Sequence, residues 1–176
     1  MEMKINILGK FFENPEKLFG IRELSRMLKI NHTTIRQNLN KLVKQEILSI
    51  DKSYLYPTYK LVILRETLNL KLYYNLEKLR KSGLIDYLEK EFEFPVIILF
   101  GSYSKAMDHE TSDIDICLIS NIQKQINFEK YKSVLNREVS MHHFTKKTFE
   151  NLKLKNKELF NNICNGIVLS GQLEVI

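Results

Sequence analysis

Apolar positions follow a helical period at both ends of the chain and become continuous or alternating in the middle. Before Pro15, Ile5, Leu8, Phe11 and Phe12 recur at spacings of three and four, predicting a helix that the Asn14-Pro15 turn signal closes. A short second helix over about 21–28 would place Leu24, Met27 and Leu28 on one face. In the third, from Asn31 to Lys44, Ile35, Leu39, Leu42 and Val43 form one stripe, with Asn31 or Thr33 available as N-cap. The opposite face is wholly polar: Thr34, Arg36, Gln37, Asn40, Lys41 and Lys44 can donate to base edges or phosphates. Ile47 to Ile50 and Tyr54 to Pro57 then flank Asp51-Lys52-Ser53, the pattern of a hairpin with a polar turn. From Lys60 to Phe94 the pattern is helical again. Leu61, Leu64, Leu68, Leu72, Leu76 and Leu79 recur at three and four, and Ser82-Gly83 breaks the run before a short helix from Leu84 to about Phe92. The leucine stripe is under three heptads long and lacks tidy charge pairing, so it reads as core rather than as a dimer seam.

The middle of the chain reads differently. Val96 to Phe100 is a fully apolar run, expected as a buried strand, and it leads directly into Gly101-Ser102. Glycine there lets the backbone turn tightly and approach a ligand, and Ser102 opens a helix whose free N–H groups suit phosphate. Ten residues later comes Asp113-Ile114-Asp115-Ile116-Cys117-Leu118-Ile119. Period-two geometry points Asp113 and Asp115 to one face while Ile114 and Ile116 face the core. A hard divalent cation relieves the repulsion of two such carboxylates, and Mg²⁺ held by one or two carboxylates plus substrate phosphates is the usual arrangement for phosphoryl chemistry. Asp108 and Glu110, in the spacer, read as solvated loop charges. A further strand is expected over 137–144, where Glu138 is the one acid; His142 and His143 alternate faces and read as surface or packing residues. Phe144 to Phe160 has helical spacing with Lys146, Lys147, Lys153, Lys155 and Lys157 on a solvated face.

Composition sets the bounds. At 176 residues, with 44% hydrophobic and 27% charged, the chain is long enough for one ordinary domain or two small ones and is not disordered by composition. Its longest apolar run is five residues and no signal-peptide pattern opens it, so a soluble, cytoplasmic protein without membrane partners is expected. Cys117 and Cys164 have no zinc-type spacing and read as buried thiols. The net charge of +6 is unevenly placed: residues 1–60 hold 11 Lys and Arg against 6 Asp and Glu. Nearly all the excess therefore lies in the first third, which suits a polyanionic partner.

Three helices followed by a hairpin in residues 1–60 resemble the winged helix-turn-helix family, which implies DNA binding through Thr34, Arg36, Gln37, Asn40, Lys41 and Lys44. Leu99 to Ala106 together with Thr111 to Ile116 resemble the Gly-Ser, ten-residue spacer, Asp-x-Asp pattern of the DNA polymerase beta-type nucleotidyltransferases, specifically their minimal branch; the closing Ile163 to Gly171 resembles that branch's short terminal strand. The expected fold is thus α+β: a winged helix-turn-helix over 1–60, a helical linker over 61–82 and a small mixed-sheet nucleotidyltransferase domain over 83–176. The resemblance implies transfer of a nucleoside monophosphate from a triphosphate, ATP foremost, with Gly101, Ser102 and Lys105 holding the nucleotide and Asp113 and Asp115 binding Mg²⁺. It also implies a third carboxylate on the next strand. Ser140 stands at the expected position, and Glu138 is the candidate substitute as metal ligand and catalytic residue. Ala106 replaces a glycine common in relatives, a departure expected to matter little.

Three functions fit these residues. One is an active transferase with a DNA-binding module, as in antitoxins that adenylylate a HEPN-type ribonuclease partner, with a homodimer on DNA as a possible form. The second is a catalytically weak or inactive nucleotide-sensing transcription regulator. The third, nucleotidylation of a small molecule, leaves the N-terminal module without a purpose.

Overall fold

The computed structural model describes residues 2–53 and 55–173; the side chain of Ile5 and the whole of Tyr54, both used above, lie outside the described residues. The chain divides into two units, Met1–Tyr74 and Asn75–Ile176.

In the first unit, α1 (Glu2–Glu13), β1 (Phe19–Gly20), α2 (Ile21–Leu28), α3 (His32–Lys44), β2 (Leu48–Asp51) and β3 (Thr58–Leu61) follow one another. The strands form an antiparallel sheet in the order β1-β3-β2. The expected stripes meet in one core: Phe11 packs edge-on against Phe19, and Leu24, Ile35, Leu39 and Leu42 close over them, all buried. Met27 departs from its expected face and is exposed. Asn31 is the cap of α3, its side chain accepting from the Thr34 N–H at 2.8 Å.

The hairpin differs from expectation in its second strand. Tyr59 and Leu61 are buried and pair opposite Ile50 and Leu48, whereas Leu55 and Tyr56 stay exposed in a long turn. Pro57 cannot donate to the ladder, so pairing begins just after it. The Asp51 carboxylate accepts from the Ser53 N–H and hydroxyl at 2.8 and 2.6 Å, which starts the turn. The following helix, α4 (Arg65–Lys81), therefore begins four residues later than its leucine spacing suggests. Leu61 belongs to β3 and Leu64 is exposed, while Thr67 is buried, its hydroxyl accepting from the Leu64 N–H at 2.9 Å and donating to the Val62 carbonyl.

In the second unit, α5 (Leu84–Glu91), β4 (Val96–Phe100), α6 (Gly101–Ser104), β5 (Ile114–Ile119), α7 (Glu129–Leu135), β6 (Val139–Phe144), α8 (Lys146–Lys155), α9 (Lys157–Cys164) and β7 (Ile167–Ser170) follow α4. The sheet is mixed, in the order β6-β5-β4-β7, with β5 and β6 parallel and the other pairs antiparallel. One face carries Ile97, Leu99, Ile114, Ile116 and Leu118 with α5 and α7; the other carries Ile98, Phe100 and Cys117 with α8 and α9. Both faces of β4 are covered, which is why its sequence is apolar without alternation. The single helix read over 144–160 is in fact two, because Asn156 leaves helical geometry and caps α9 through the Leu159 N–H at 3.0 Å. Gly166 lets β7 turn in against β4: a Cβ there would lie 2.5 Å from the Leu99 carbonyl oxygen. Among the described residues, no helix is long and apolar enough to cross a membrane.

Candidate active site

Antiparallel pairing of β4 with β5 sets Phe100 opposite Asp115. The next residue, Gly101, has φ +73°, and a Cβ on it would lie 2.1 Å from an Asp115 carboxylate oxygen. Only glycine allows the backbone this close to the acid, in a region of φ that side chains avoid. The Gly-Ser turn and the Asp-x-Asp strand, separated by ten residues in sequence, therefore meet at one point. Helix α6 is a single turn, so binding strength there would come from individual N–H groups and the Ser102 hydroxyl rather than from a long helix dipole. Ser104, buried, donates to the Gly101 carbonyl at 2.9 Å and fixes the turn. Ser102 is half-buried and Lys105 is exposed. Ala106 is buried at φ 55°, so the missing glycine costs about 1 kcal/mol of backbone strain rather than nothing.

The spacer is not a solvated loop. Asp108 is 1% exposed and its carboxylate accepts from Arg137 at 3.0 Å and from the Asn75 amide at 2.8 Å. The Arg137 guanidinium also donates to the carbonyls of Ser112, at 2.9 Å, and His109, and lies over the Tyr103 ring. One buried ion pair thus holds the loop that delivers Asp113 to the start of β5. No local periodicity marks Asp108 as buried, because its partner is 29 residues away.

Asp113, just before β5, is exposed, and Asp115 is half-buried. Burial raises the Asp115 pKa; nearby His142 lowers it and the Asp113 charge raises it further. On β6, Ser140 is in register with Asp115. Glu138 lies before β6 rather than on it, pairs with Lys132 and is 59% exposed at its side chain. Among the described residues no three His, Cys, Asp or Glu side chains gather as a metal-binding set. The expected three-carboxylate set does not assemble among the described residues, so a cation held by Asp113 and Asp115 would need phosphate and water as its remaining ligands. His142, read as a surface or packing residue, packs edge-on against the Phe100 ring at 5.4 Å, beside Asp115. Its signal was the alternation Glu138, Ser140, His142 along one face of the strand. His143 faces the other way, onto Phe92. Cys117 is buried and its thiol is pushed up to about 12, whereas Cys164 is only half-buried.

A pH prediction follows from Asp115. Its pKa is raised on folding, so its contribution to stability is full below the unfolded value near 4 and is lost as pH rises through the folded pKa. Asp115→Asn should therefore melt higher than the parent at about pH 7 in the absence of divalent cations, with the advantage vanishing below about pH 4. Circular-dichroism melts across that range test it, and an unchanged or lowered midpoint at neutral pH would contradict it.

In the first unit, Arg36, Gln37, Asn40, Lys41 and Lys44 are exposed along α3, and Thr34 is half-buried near its start. Gln37, Asn40, Lys41 and Lys44 line one open surface cavity of about 440 Å³. Of the six, these four lie together along one exposed side of α3.

The mixed sheet, the Gly101 approach and the paired aspartates define a nucleotidyltransferase-type domain. A family model described as "Polymerase beta, Nucleotidyltransferase" matches residues 82–174, more than half of the chain, and the chain belongs to that family. No curated protein matches it.

Proposed function

We propose that the second unit transfers a nucleoside monophosphate from a nucleoside triphosphate, ATP foremost, to an acceptor, in a Mg²⁺-dependent reaction that releases pyrophosphate. The observation that carries this reading is the approach of the Gly101 backbone to the Asp115 carboxylate. Phosphate-binding N–H groups and metal-binding carboxylates then adjoin, as a metal-bound triphosphate requires. Gly101 and Ser102 hold the phosphates, the exposed Lys105 adds positive charge, and Asp113 and Asp115 are the ligands of the cation. The cation supplies neutralisation of charge on the phosphates as they react. A protein acceptor, with a HEPN-type ribonuclease as the candidate, follows from the resemblance to minimal-branch antitoxins. Incubation with α-labelled ATP, Mg²⁺ and the product of a neighbouring gene should label the acceptor, and Asp113→Asn should abolish labelling. Undiminished labelling by that variant would refute the site.

For residues 1–60 we infer a winged helix-turn-helix that binds DNA, as monomer or homodimer, with α3 as the reading helix. The exposed polar face of α3 and the charge excess of the first sixty residues support it. Arg36→Ala and Lys41→Ala should each weaken binding on all sequences and flatten the salt dependence by about one unit of slope. Fluorescence anisotropy at several salt concentrations measures this; affinity indifferent to salt would point instead to a protein-docking module.

The placement of Glu138 favours a second reading, a nucleotide-sensing regulator without transfer activity, since its carboxylate is engaged by Lys132. Measurable Mg²⁺–ATP binding with no labelling of any acceptor would select it.

A further inference from the structure

We propose that the site holds a single divalent cation with each nucleotide, because β6 presents no third anionic ligand to Asp113 and Asp115. The inference rests on the nucleotide-binding reading above and concerns what this chain's own residues do around the bound ion.

Three positions on β6 and its approach share a face by alternation: Glu138, Ser140 and His142. Each is unsuited to a second cation for a different reason. Ser140 is in register with Asp115 on the neighbouring parallel strand, about 4.8 Å away across the ladder. It is the position closest to the aspartate, and its hydroxyl is neutral. Glu138 stands one step back, before the strand begins, and its carboxylate is paired with Lys132. His142 stands one step forward, its ring packed edge-on against the Phe100 ring at 5.4 Å, and it brings no negative charge to the aspartates.

Charge sets the count. Two carboxylates and the phosphates of one nucleotide match the needs of one Mg²⁺, which keeps waters in its remaining positions. A second divalent ion at the usual separation of roughly 3.5–4 Å would repel the first with four times the energy of two unit charges, and needs further carboxylate oxygens to offset it. Among the described residues no such third group joins the aspartates.

The test counts ions. The full chain is dialysed against Mn²⁺ and a non-hydrolysable ATP analogue, and bound manganese per bound nucleotide is read by electron paramagnetic resonance. The parent should bind one ion per nucleotide, and Ser140→Asp should bind two. Ser140 is half-exposed on the edge strand of the sheet, where aspartate has room. Two ions in the parent overturn the inference and leave the nucleotide-binding reading standing. A count of one in folded Ser140→Asp overturns the assignment of that position. Glu138→Gln should leave the parent's count at one; a parent count of two that falls to one in this variant would make Glu138 the third ligand and overturn the inference. The parent and Glu138→Gln counts decide the matter even if Ser140→Asp does not fold. Absence of any Mn²⁺-dependent nucleotide binding by the parent overturns the nucleotide-binding reading, and the inference with it.

Discussion

Gly101→Ala is expected to lower Mg²⁺-dependent nucleotide transfer by about two orders of magnitude while leaving the chain folded. Two effects combine. At φ +73° an alanine pays about 1–2 kcal/mol for left-handed backbone. Its methyl would also lie 2.1 Å from an Asp115 oxygen, so the carboxylate must move away from the Gly-Ser turn by more than an ångström. Displacement on that scale would ruin the proposed site, in which phosphate and carboxylates must meet at one point. The cause can be separated from simple destabilisation by a double-mutant cycle. Asp115→Ala removes the colliding oxygen, so the pair Gly101→Ala/Asp115→Ala should be more stable than the two single changes added together. Strict additivity in melting midpoints, or transfer by Gly101→Ala within a factor of a few of the parent, would show that the two residues do not meet as described.

Asp108→Ala is expected to destabilise the second unit by about 3–5 kcal/mol, the cost of leaving a buried guanidinium without its counter-charge. Arg137 is 7% exposed and would keep the Ser112 and His109 carbonyls and the Tyr103 ring, none of which carries a counter-charge. Arg137→Ala should cost a similar amount, because the Asp108 carboxylate would then retain only the Asn75 amide and its remaining neighbours. Removing both charges together, as Asp108→Leu/Arg137→Met, should recover much of the loss. Urea denaturation of the three variants measures it. A cost below about 1 kcal/mol for either single change would mean that the pair is solvated. Nucleotide transfer in the double variant carries separate information: if the pair serves to place Asp113, activity stays low even where stability returns.

The elements with a strong repeating pattern were legible from residues alone. The stripe Ile35, Leu39, Leu42 is the buried face of α3, and the apolar run Val96 to Phe100 is the strand covered on both faces. Where several readings of the same residues had similar local merit, tertiary contacts chose between them. Tyr54-Leu55-Tyr56 has the composition of a strand, yet the core takes Tyr59 and Leu61, and Leu55 is left 89% exposed. The leucine spacing from Leu61 onward is helical, yet Leu61 is claimed by the sheet. Phe144 to Phe160 keeps a helical period across Asn156, which nonetheless breaks it because its side chain is worth more as a cap for α9.

For the candidate site, residue types and spacing determined which groups are available: a glycine and a serine after a buried strand, two aspartates two apart at the start of the next, and Ser140 and His142 on a further strand with Glu138 just before it. Alternation even determined which of these share a face, because it depends only on local backbone geometry. The tertiary structure alone decided what each group meets. It turned Asp108 from a loop charge into the partner of Arg137, set Ser140 beside Asp115, gave Glu138 to Lys132 and brought Gly101 against the carboxylate. These are contacts between residues far apart in sequence, fixed by strand register and loop closure. No local period encodes them.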